Sequence, residues 1–252
     1  MNNYNDYVTI SGNQIHPTAT IVGDVVMGSD NQIGQNTIIQ GPVKIGNNNK
    51  IFPNCVIGTP AQHLEVEQDW ATSENQERVI EIGDNNLIRE FTTIHKPTDE
   101  ITKIHNDCFI MAYNHIPHDC EIFDNVLLAN NCQISGHTKI LEHASLALSV
   151  VVHQYSTIGS YAMVGMGTIV TKDIYPFAKV VGNPAYILGT NTIGMERKGF
   201  SEKEIKAAEQ IIKHLRFRSQ DSIRPTAHPK VDICFNEFLK KRYKKRKCVS
   251  FR

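Results

Sequence analysis

An aliphatic residue recurs at every sixth position for most of this chain, and six is the period of neither an amphipathic helix nor a strand. From Ile15 the series runs through Ile21, Met27, Ile33, Ile39, Ile45, Ile51 and Ile57. It breaks, resumes at Ile82, Ile88 and Ile94, breaks again, and continues from Ile104 in steps of six to Val170. A fixed repeat of this length means a solenoid, in which each unit buries its apolar face only against the units above and below it. Six residues are too few for a helix pair. Each repeat therefore predicts one short strand and a tight turn, with three repeats closing a triangular coil of eighteen residues.

The rest of the hexad agrees. The fourth residue after the aliphatic is small, as at Thr37, Cys55, Thr92, Cys108, Cys120, Cys132, Ala144, Ser156 and Thr168. Glycine, aspartate and asparagine crowd the turns, as in Ile45-Gly46-Asn47-Asn48-Asn49, because they tolerate left-handed backbone angles. The pattern resembles the hexapeptide repeat of the left-handed parallel β-helix, an exception to the right-handed crossover rule. An all-β solenoid of that kind is predicted over residues 1–188. Insertions near 59–79, which holds the single tryptophan Trp70, and near 97–102 are predicted to project from it. In a homotrimer, which the flat faces of such a prism favour, they would wrap a neighbouring subunit.

After the coil the period changes. Gly182-Asn183-Pro184-Ala185 reads as the turn that stops the solenoid, and residues 189–252 as a small α-helical domain with a basic tail. Ser201 to Glu204 has the form of a capping box, followed at helical spacing by Ile205, Ala208, Ile211, Ile212 and Leu215. A second helix is predicted over Val231 to Lys240 with Phe235, Phe238 and Leu239 inward. The formal charge of the chain is zero, yet Lys240, Lys241, Arg242, Lys244, Lys245, Arg246, Lys247 and Arg252 follow the last acidic residue, Glu237. Removing those eight from 26 cations leaves 18 against 26 anions, or −8, on residues 1–239. Such a tail either attracts anions, whether phosphates, an acidic carrier protein, nucleic acid or a membrane, or is simply solvated. No run of about 18 apolar residues and no basic, apolar leader is present, so a cytoplasmic protein is expected.

The chemistry must come from the histidines, seven of which lie between His95 and His153. Stacking at eighteen residues puts His118, Ser135-Gly136-His137 and His153-Gln154 near one vertical strip. His115-x-x-His118 followed by Asp119 offers nitrogen and oxygen ligands, but no second pair stands at a zinc-like spacing and the coil cysteines are used inside, so no metal is expected. A neutral imidazole, with a reference pKa of about 6.5, takes a proton at neutral pH when an acceptor orients it. His118 beside Asp119 meets that description. No serine or cysteine sits in a nucleophile motif beside them.

Asn114-His115-Ile116-Pro117-His118-Asp119-Cys120, Leu128-Ala129-Asn130-Asn131, Gly136-His137, His153-Gln154-Tyr155 and Gly194-Met195-Glu196-Arg197-Lys198-Gly199-Phe200 together resemble the UDP-N-acetylglucosamine acyltransferase family of lipid A biosynthesis. The resemblance implies an acyltransferase with no resident cofactor, whose co-substrate is a thioester on coenzyme A or acyl carrier protein. It implies that His118 is the general base with Asp119 as its orienter, and that His95, His115, His137, His153 and Gln154 contact substrate. Gly136 would belong to the donor site, its backbone polarising the thioester carbonyl, and Arg197 and Lys198 would meet a phosphorylated group.

Three departures modify the expectation. The family's Gln-Asp-Leu-Lys stretch on the first insertion reads Gln62-His63-Leu64-Glu65 here, so His63 and Glu65 replace an anion and a cation at the sugar. An anion there suits a protonated amine, which tilts the expected acceptor toward a UDP- or dTDP-linked amino sugar and N-acylation, with O-acylation of UDP-N-acetylglucosamine as the alternative. Met166 stands where the family often has a glycine at the far end of the acyl groove, and each methylene it displaces forfeits about 0.8 kcal/mol. Short or medium acyl groups, more natural on coenzyme A, are therefore expected. The shortened, basic C-terminus weakens any transfer of a carrier-protein docking surface. From other classes, a metal-binding hexapeptide protein and a non-catalytic assembly subunit remain as alternatives.

Overall fold

The computed structural model describes residues 8–10, 12–68, 78–99, 101–215, 225–243 and 246–251. Trp70, Lys244, Lys245 and Arg252, all singled out above, lie outside the described residues.

The hexads form a parallel β-helix. Its short strands stack into an 11-stranded, an 8-stranded and a 7-stranded sheet, here the first, second and third faces of a prism. Strands one coil apart pair in parallel at a spacing of eighteen, as Ile104 with Ile122 and Ile122 with Ile140. The recurring aliphatics fill the interior: Ile33, Ile39, Ile88, Ile94, Ile104, Ile110, Ile116 and Ile122 are 0% exposed. Ile15, Ile21 and Met27 are only partly buried, because the outermost coil has a neighbour on one side alone. Burial pushes the thiols of Cys55, Cys108 and Cys120 up to about 12 and that of Cys132 to about 11, so these cysteines are inert packing residues.

The corners solve two problems. The first is backbone strain, because the third residue after most of the aliphatics takes a positive φ. Asparagine and aspartate accept this readily at Asn36, Asn48, Asn54, Asn85 and Asp107. Later corners place aromatic rings and imidazoles there, at a cost of roughly 1–2 kcal/mol each, and stacking between coils offsets it. Phe91 lies on Tyr113 at 4.8 Å, His143 on Tyr161 at 4.6 Å and His137 on Tyr155 at 4.4 Å, contacts worth about 0.5–1.5 kcal/mol apiece. The second problem is the polar backbone turned inward at each corner. Near the amino-terminal end a buried asparagine ladder satisfies it: Asn31 Nδ2 donates to Asn13 Oδ1 at 2.9 Å, Asn49 Nδ2 to Asn31 Oδ1 at 3.0 Å, and the Asn86 N–H to Asn49 Oδ1 at 2.9 Å.

The two insertions leave the same corner, between the second and third faces. The first separates Val56–Thr59 from Ile80–Ile82 and the second separates Thr93–His95 from Thr102–Ile104. Ile45 pairs with Ile82, thirty-seven residues on, and Ile82 with Ile104, twenty-two on, so the insertions add nineteen and four residues to the eighteen of a coil.

Gly182 to Ala185 does turn the chain, from Ala178–Val181 into an antiparallel partner strand, Tyr186–Thr190. Three helices follow: α1 Thr192–Arg197, α2 Glu202–Leu215 and α3 Pro229–Lys241. The capping box is present, the Ser201 N–H and Oγ both donating to Glu204 Oε2 at 2.7 Å. Ile205, Ala208, Ile211, Ile212, Leu215, Phe235 and Phe238 are buried as expected. Leu239 is not. It is 39% exposed, and Val231, on the same face as Phe235 and Phe238, is buried at the start of α3.

The described part of the basic run is neither free nor purely solvated. Arg242 is buried with its Nη2 2.9 Å from Asp173 Oδ2, and Arg246 Nε is 3.4 Å from Asp173 Oδ1. Lys241 Nζ lies 3.8 Å from the centre of the Phe123 ring and 3.4 Å from Glu142 Oε1. These cations anchor the carboxyl-terminal segment to the last coils.

Candidate active site

His118 and Asp119 lie at the corner between His115–Ile116 of the second face and Glu121–Ile122 of the third. One coil on, the same corner carries Gly136 and His137, and the next carries Gln154 and Tyr155. His118 therefore stacks under Gly136, while Asp119, His137 and Tyr155 form a column, each with positive φ. A Cβ added to Gly136 would stand 2.4 Å from His118 Cε1 and 2.6 Å from Nε2. The imidazole lies directly against the glycine, a closeness that no other residue permits.

His118 Nδ1 is 2.8 Å from Asp119 Oδ2, and both residues are buried. The carboxylate is held from the other side by the second insertion. Thr98 Oγ1 donates to Oδ2 at 2.6 Å, the Thr98 N–H to Oδ2 at 3.0 Å and Oδ1 at 3.2 Å, and the Asp99 N–H to Oδ1 at 3.0 Å. The Asp119 N–H itself donates to Thr102 Oγ1 at 2.9 Å. Burial alone would raise the Asp119 carboxyl, but the hydrogen bonds from His118, Thr98 and Asp99 overrule it and hold the group well below the usual carboxylate range. An ionised carboxylate can only accept, so Nδ1 of His118 carries a proton, and in the neutral imidazole the lone pair is then on Nε2.

The other expected residues divide by position. His137 joins the pair: its Nε2 is 3.6 Å from Asp119 Oδ2 and its ring centre 5.2 Å from that of His118. His63, on the exposed first insertion, brings its ring to 5.6 Å from His118, and Glu65 follows it with its N–H donating to His63 Nδ1 at 3.3 Å. His95 and His115 meet edge to face at 4.9 Å, and His115 Nδ1 is 2.7 Å from Thr93 Oγ1. Burial, then the neighbouring His115 and His118, lowers His95 to about 4; burial and His118 lower His115 as well. Both are neutral hydrogen-bonding groups at physiological pH.

His153 and Gln154 are exposed, and His153 Nδ1 turns to the Gln154 carbonyl at 3.0 Å rather than to the cluster. Met166, 72% exposed, is at the corner between the first and second faces. Arg197 and Lys198 are exposed at the end of α1, where Lys198 is close enough to help burial lower His143. None of the three lies at the His118 corner.

Residues that spacing alone did not select complete the site: Thr98 and Thr102 on and beside the second insertion, and Tyr155 stacked over His137. Adding eighteen to His137 gives Tyr155 directly. The threonines carry no periodic signal. His118, Asp119 and His137 also bring three possible metal-ligating atoms within 4.8 Å of one another, although Oδ2 of Asp119 already accepts from Thr98 and faces His118 Nδ1.

Comparison with known proteins agrees on one family. A family model described as UDP N-acetylglucosamine O-acyltransferase, domain 2, matches residues 173–243, and the bacterial transferase hexapeptide model matches 24–59 and 101–136. The acyl-[acyl-carrier-protein]–UDP-N-acetylglucosamine O-acyltransferase of Herminiimonas arsenicoxydans is 42% identical over 134 residues, covering 52% of this chain and 51% of that protein. The match thus spans about half the length of this curated relative. The solved UDP-N-acetylglucosamine O-acyltransferase (LpxA) of Moraxella catarrhalis is 32% identical and superposes with a TM-score of 0.71 over 93% of this chain and 99% of its own. The chain belongs to the UDP-N-acetylglucosamine acyltransferase family. Another solved member, from Francisella novicida, is 27% identical with a TM-score of 0.72, covering 96% of this chain and 93% of that one. Membership in the UDP-N-acetylglucosamine acyltransferase family fits the hexapeptide coil and the helical end.

Proposed function

We propose that this protein transfers an acyl group from a thioester on acyl carrier protein to a hydroxyl of UDP-N-acetylglucosamine, with His118 as general base. The observation that carries the reading is the His118–Asp119 pair, whose carboxylate fixes the proton on Nδ1 and leaves Nε2 basic. In the proposed reaction Nε2 takes the hydroxyl proton as the oxygen attacks the thioester carbon. The tetrahedral intermediate, with its oxyanion beside the Gly136 backbone, collapses by breaking the carbon–sulfur bond, and the His118 imidazolium returns the proton to the leaving thiolate. Neutral His95 and His115, with His137 and His63, are proposed to hold sugar oxygens.

The names of the curated and solved relatives favour an O-acyl product, and acyl carrier protein as donor, over the amino-sugar N-acylation and coenzyme A suggested by Glu65 and Met166. Glu65 still supports the amine as a second reading. The uncharged outward residues of the second face, among them Ile38, Thr93, Gln133 and Val151, contrast with the third face, where Lys44, Glu81 and Lys103 pair at 2.9–4.0 Å. That contrast supports a homotrimer packed away from the third face, bringing Met166, Arg197 and Lys198 of one protomer to the His118 corner of the next. Among the described residues no helix is long and apolar enough to cross a membrane, and the carrier-protein donor supports a cytoplasmic site of action.

Purified protein incubated with UDP- and dTDP-linked sugars, with and without an amino group, and a panel of acyl donors is expected to acylate UDP-N-acetylglucosamine at oxygen, with loss of activity in His118→Ala. Acylation only of an amino sugar, or full activity in His118→Ala, overturns the corresponding part. Stoichiometric metal in the purified protein, lost with activity in His137→Ala, would favour a cation at the three donors instead.

A further inference from the structure

We propose that Thr98 is a positioning residue for the general base, and that this is what the second insertion contributes. The inference rests on the acyltransferase reading above. The coil needs eighteen residues per turn, as between Ile104 and Ile122, and closes here with twenty-two, as between Ile82 and Ile104. The four additional residues are dispensable to the repeat. What the insertion carries to the corner is a cradle of three donors, Thr98 N–H, Thr98 Oγ1 and Asp99 N–H, all converging on the Asp119 carboxylate.

The placement of these donors decides what Asp119 can do. Oδ1 takes the Asp99 N–H at 3.0 Å, and the Thr98 N–H is shared between the two oxygens, at 3.0 Å from Oδ2 and 3.2 Å from Oδ1. Oδ2 takes the Thr98 hydroxyl at 2.6 Å and faces His118 Nδ1 at 2.8 Å, so the threonine and the imidazole meet on the same oxygen. Asp119 lies in the left-handed region, with φ of 58°, in a side-chain environment closed to solvent. Its carboxylate cannot turn without breaking the Thr98 contacts. Thr98, itself 7% exposed, thereby fixes the carboxylate, the carboxylate fixes the imidazole tautomer, and the tautomer keeps the lone pair on Nε2. A threonine that merely satisfied a buried carboxylate would affect stability alone.

Thr98→Val preserves side-chain shape and the backbone N–H while deleting the hydroxyl; Thr98→Ser restores the hydroxyl. Two measurements separate the roles: steady-state kinetics with acyl carrier protein thioester and UDP-N-acetylglucosamine, and two-bond 1H–15N correlation of 15N-histidine-labelled protein, with the His118 signals assigned against His118→Gln. Thr98→Val is expected to lower kcat by roughly tenfold or more at little-changed KM, and to replace a pure Nδ1–H tautomer of His118 by a mixture. Thr98→Ser is expected to recover both. Wild-type kcat and tautomer in Thr98→Val, or a serine variant that behaves like the valine one, overturns the assignment. If the valine variant does not accumulate as folded protein, Thr98→Ala carries the same comparison. A wild-type His118 held as Nδ1–H with no transfer from any donor to any sugar nucleotide refutes the acyltransferase reading alone, and Thr98 is then judged on the spectrum.

Discussion

Asp119 is the residue immediately after His118, yet its Oδ2 reaches back to His118 Nδ1 at 2.8 Å, because the corner turns the two side chains to the same side with φ of 58° at the aspartate. Consecutive residues on a strand would point to opposite faces. The left-handed corner is what makes an imidazole–carboxylate pair available to neighbours in sequence.

Asp119→Asn preserves shape but removes the acceptor-only character of the side chain, so either imidazole tautomer can satisfy it. The expected result is a fall in kcat of about 10²- to 10⁴-fold with the fold intact. Steady-state rates beside a far-ultraviolet spectrum check it, and a loss below threefold would show that the carboxylate does not govern the base.

The same carboxylate has a pH signature. Its folded pKa is depressed, so its stabilising contribution is fully present above the ordinary aspartate value of about 3.9 and is lost as pH falls through the folded value. The stability difference between wild type and Asp119→Asn is therefore expected to be level from pH 8 to about 5 and to shrink only in stronger acid. Denaturant unfolding across that range tests this. A difference that already shrinks near pH 6 contradicts the hydrogen-bonded, ionised state.

Gly136→Ala introduces a Cβ into the space of the His118 ring, at 2.4–2.6 Å from its atoms. The ring must move away from its place, and activity is expected to fall at least a hundredfold while the melting temperature changes by only a few degrees. Rates and thermal melts on the same sample decide it; near-normal activity would place the reactive nitrogen elsewhere.

For acyl length, the exposed Met166 makes a simple prediction. Met166→Gly is expected to shift donor preference toward longer chains, by roughly fourfold per added methylene that becomes buried, from about 0.8 kcal/mol each. Competition among acyl donors of graded length is the assay, and an unchanged preference would remove Met166 from the acyl groove.

Asn31 sits in the middle of the buried ladder, donating to Asn13 Oδ1 and the Gly46 carbonyl at 2.9 Å and accepting from Asn49 N and Nδ2 at 2.8 and 3.0 Å. Asn31→Ala strands several of these partners without water, at a cost of about 2–4 kcal/mol. Urea unfolding would measure it, and a shift under 0.5 kcal/mol would mean the ladder is not a main support of the first coils.

The coil was legible because one residue in six does the same job each time, and Ile33 through Val170 are buried with hardly an exception. The site was legible only in part, for a geometric reason. Stacking at eighteen aligns Asp119, His137 and Tyr155, and separately His118, Gly136 and Gln154. Reading His118, His137 and His153 as one strip blurred three adjacent columns, because His153 stacks on Ser135 and Pro117. Thr98 escaped because an insertion has no register to read it by. Leu239 was misplaced by extending an apolar run, Phe238-Leu239, around a helix whose buried stripe is narrower.

Both ends of the stack are closed by strands running against it: Val8–Ile10 pairs antiparallel with Asn13–Ile15, and Tyr186–Thr190 returns along Ala178–Val181, with Phe251 bridged to Ile187. A parallel coil has no natural stopping point, and its terminal rungs would otherwise be sticky to any similar rung. A version trimmed to its bare hexads would therefore be prone to join end to end into filaments repeating every 4.7–4.9 Å or so, which makes these reversed strands the feature that keeps a stackable shape a discrete particle.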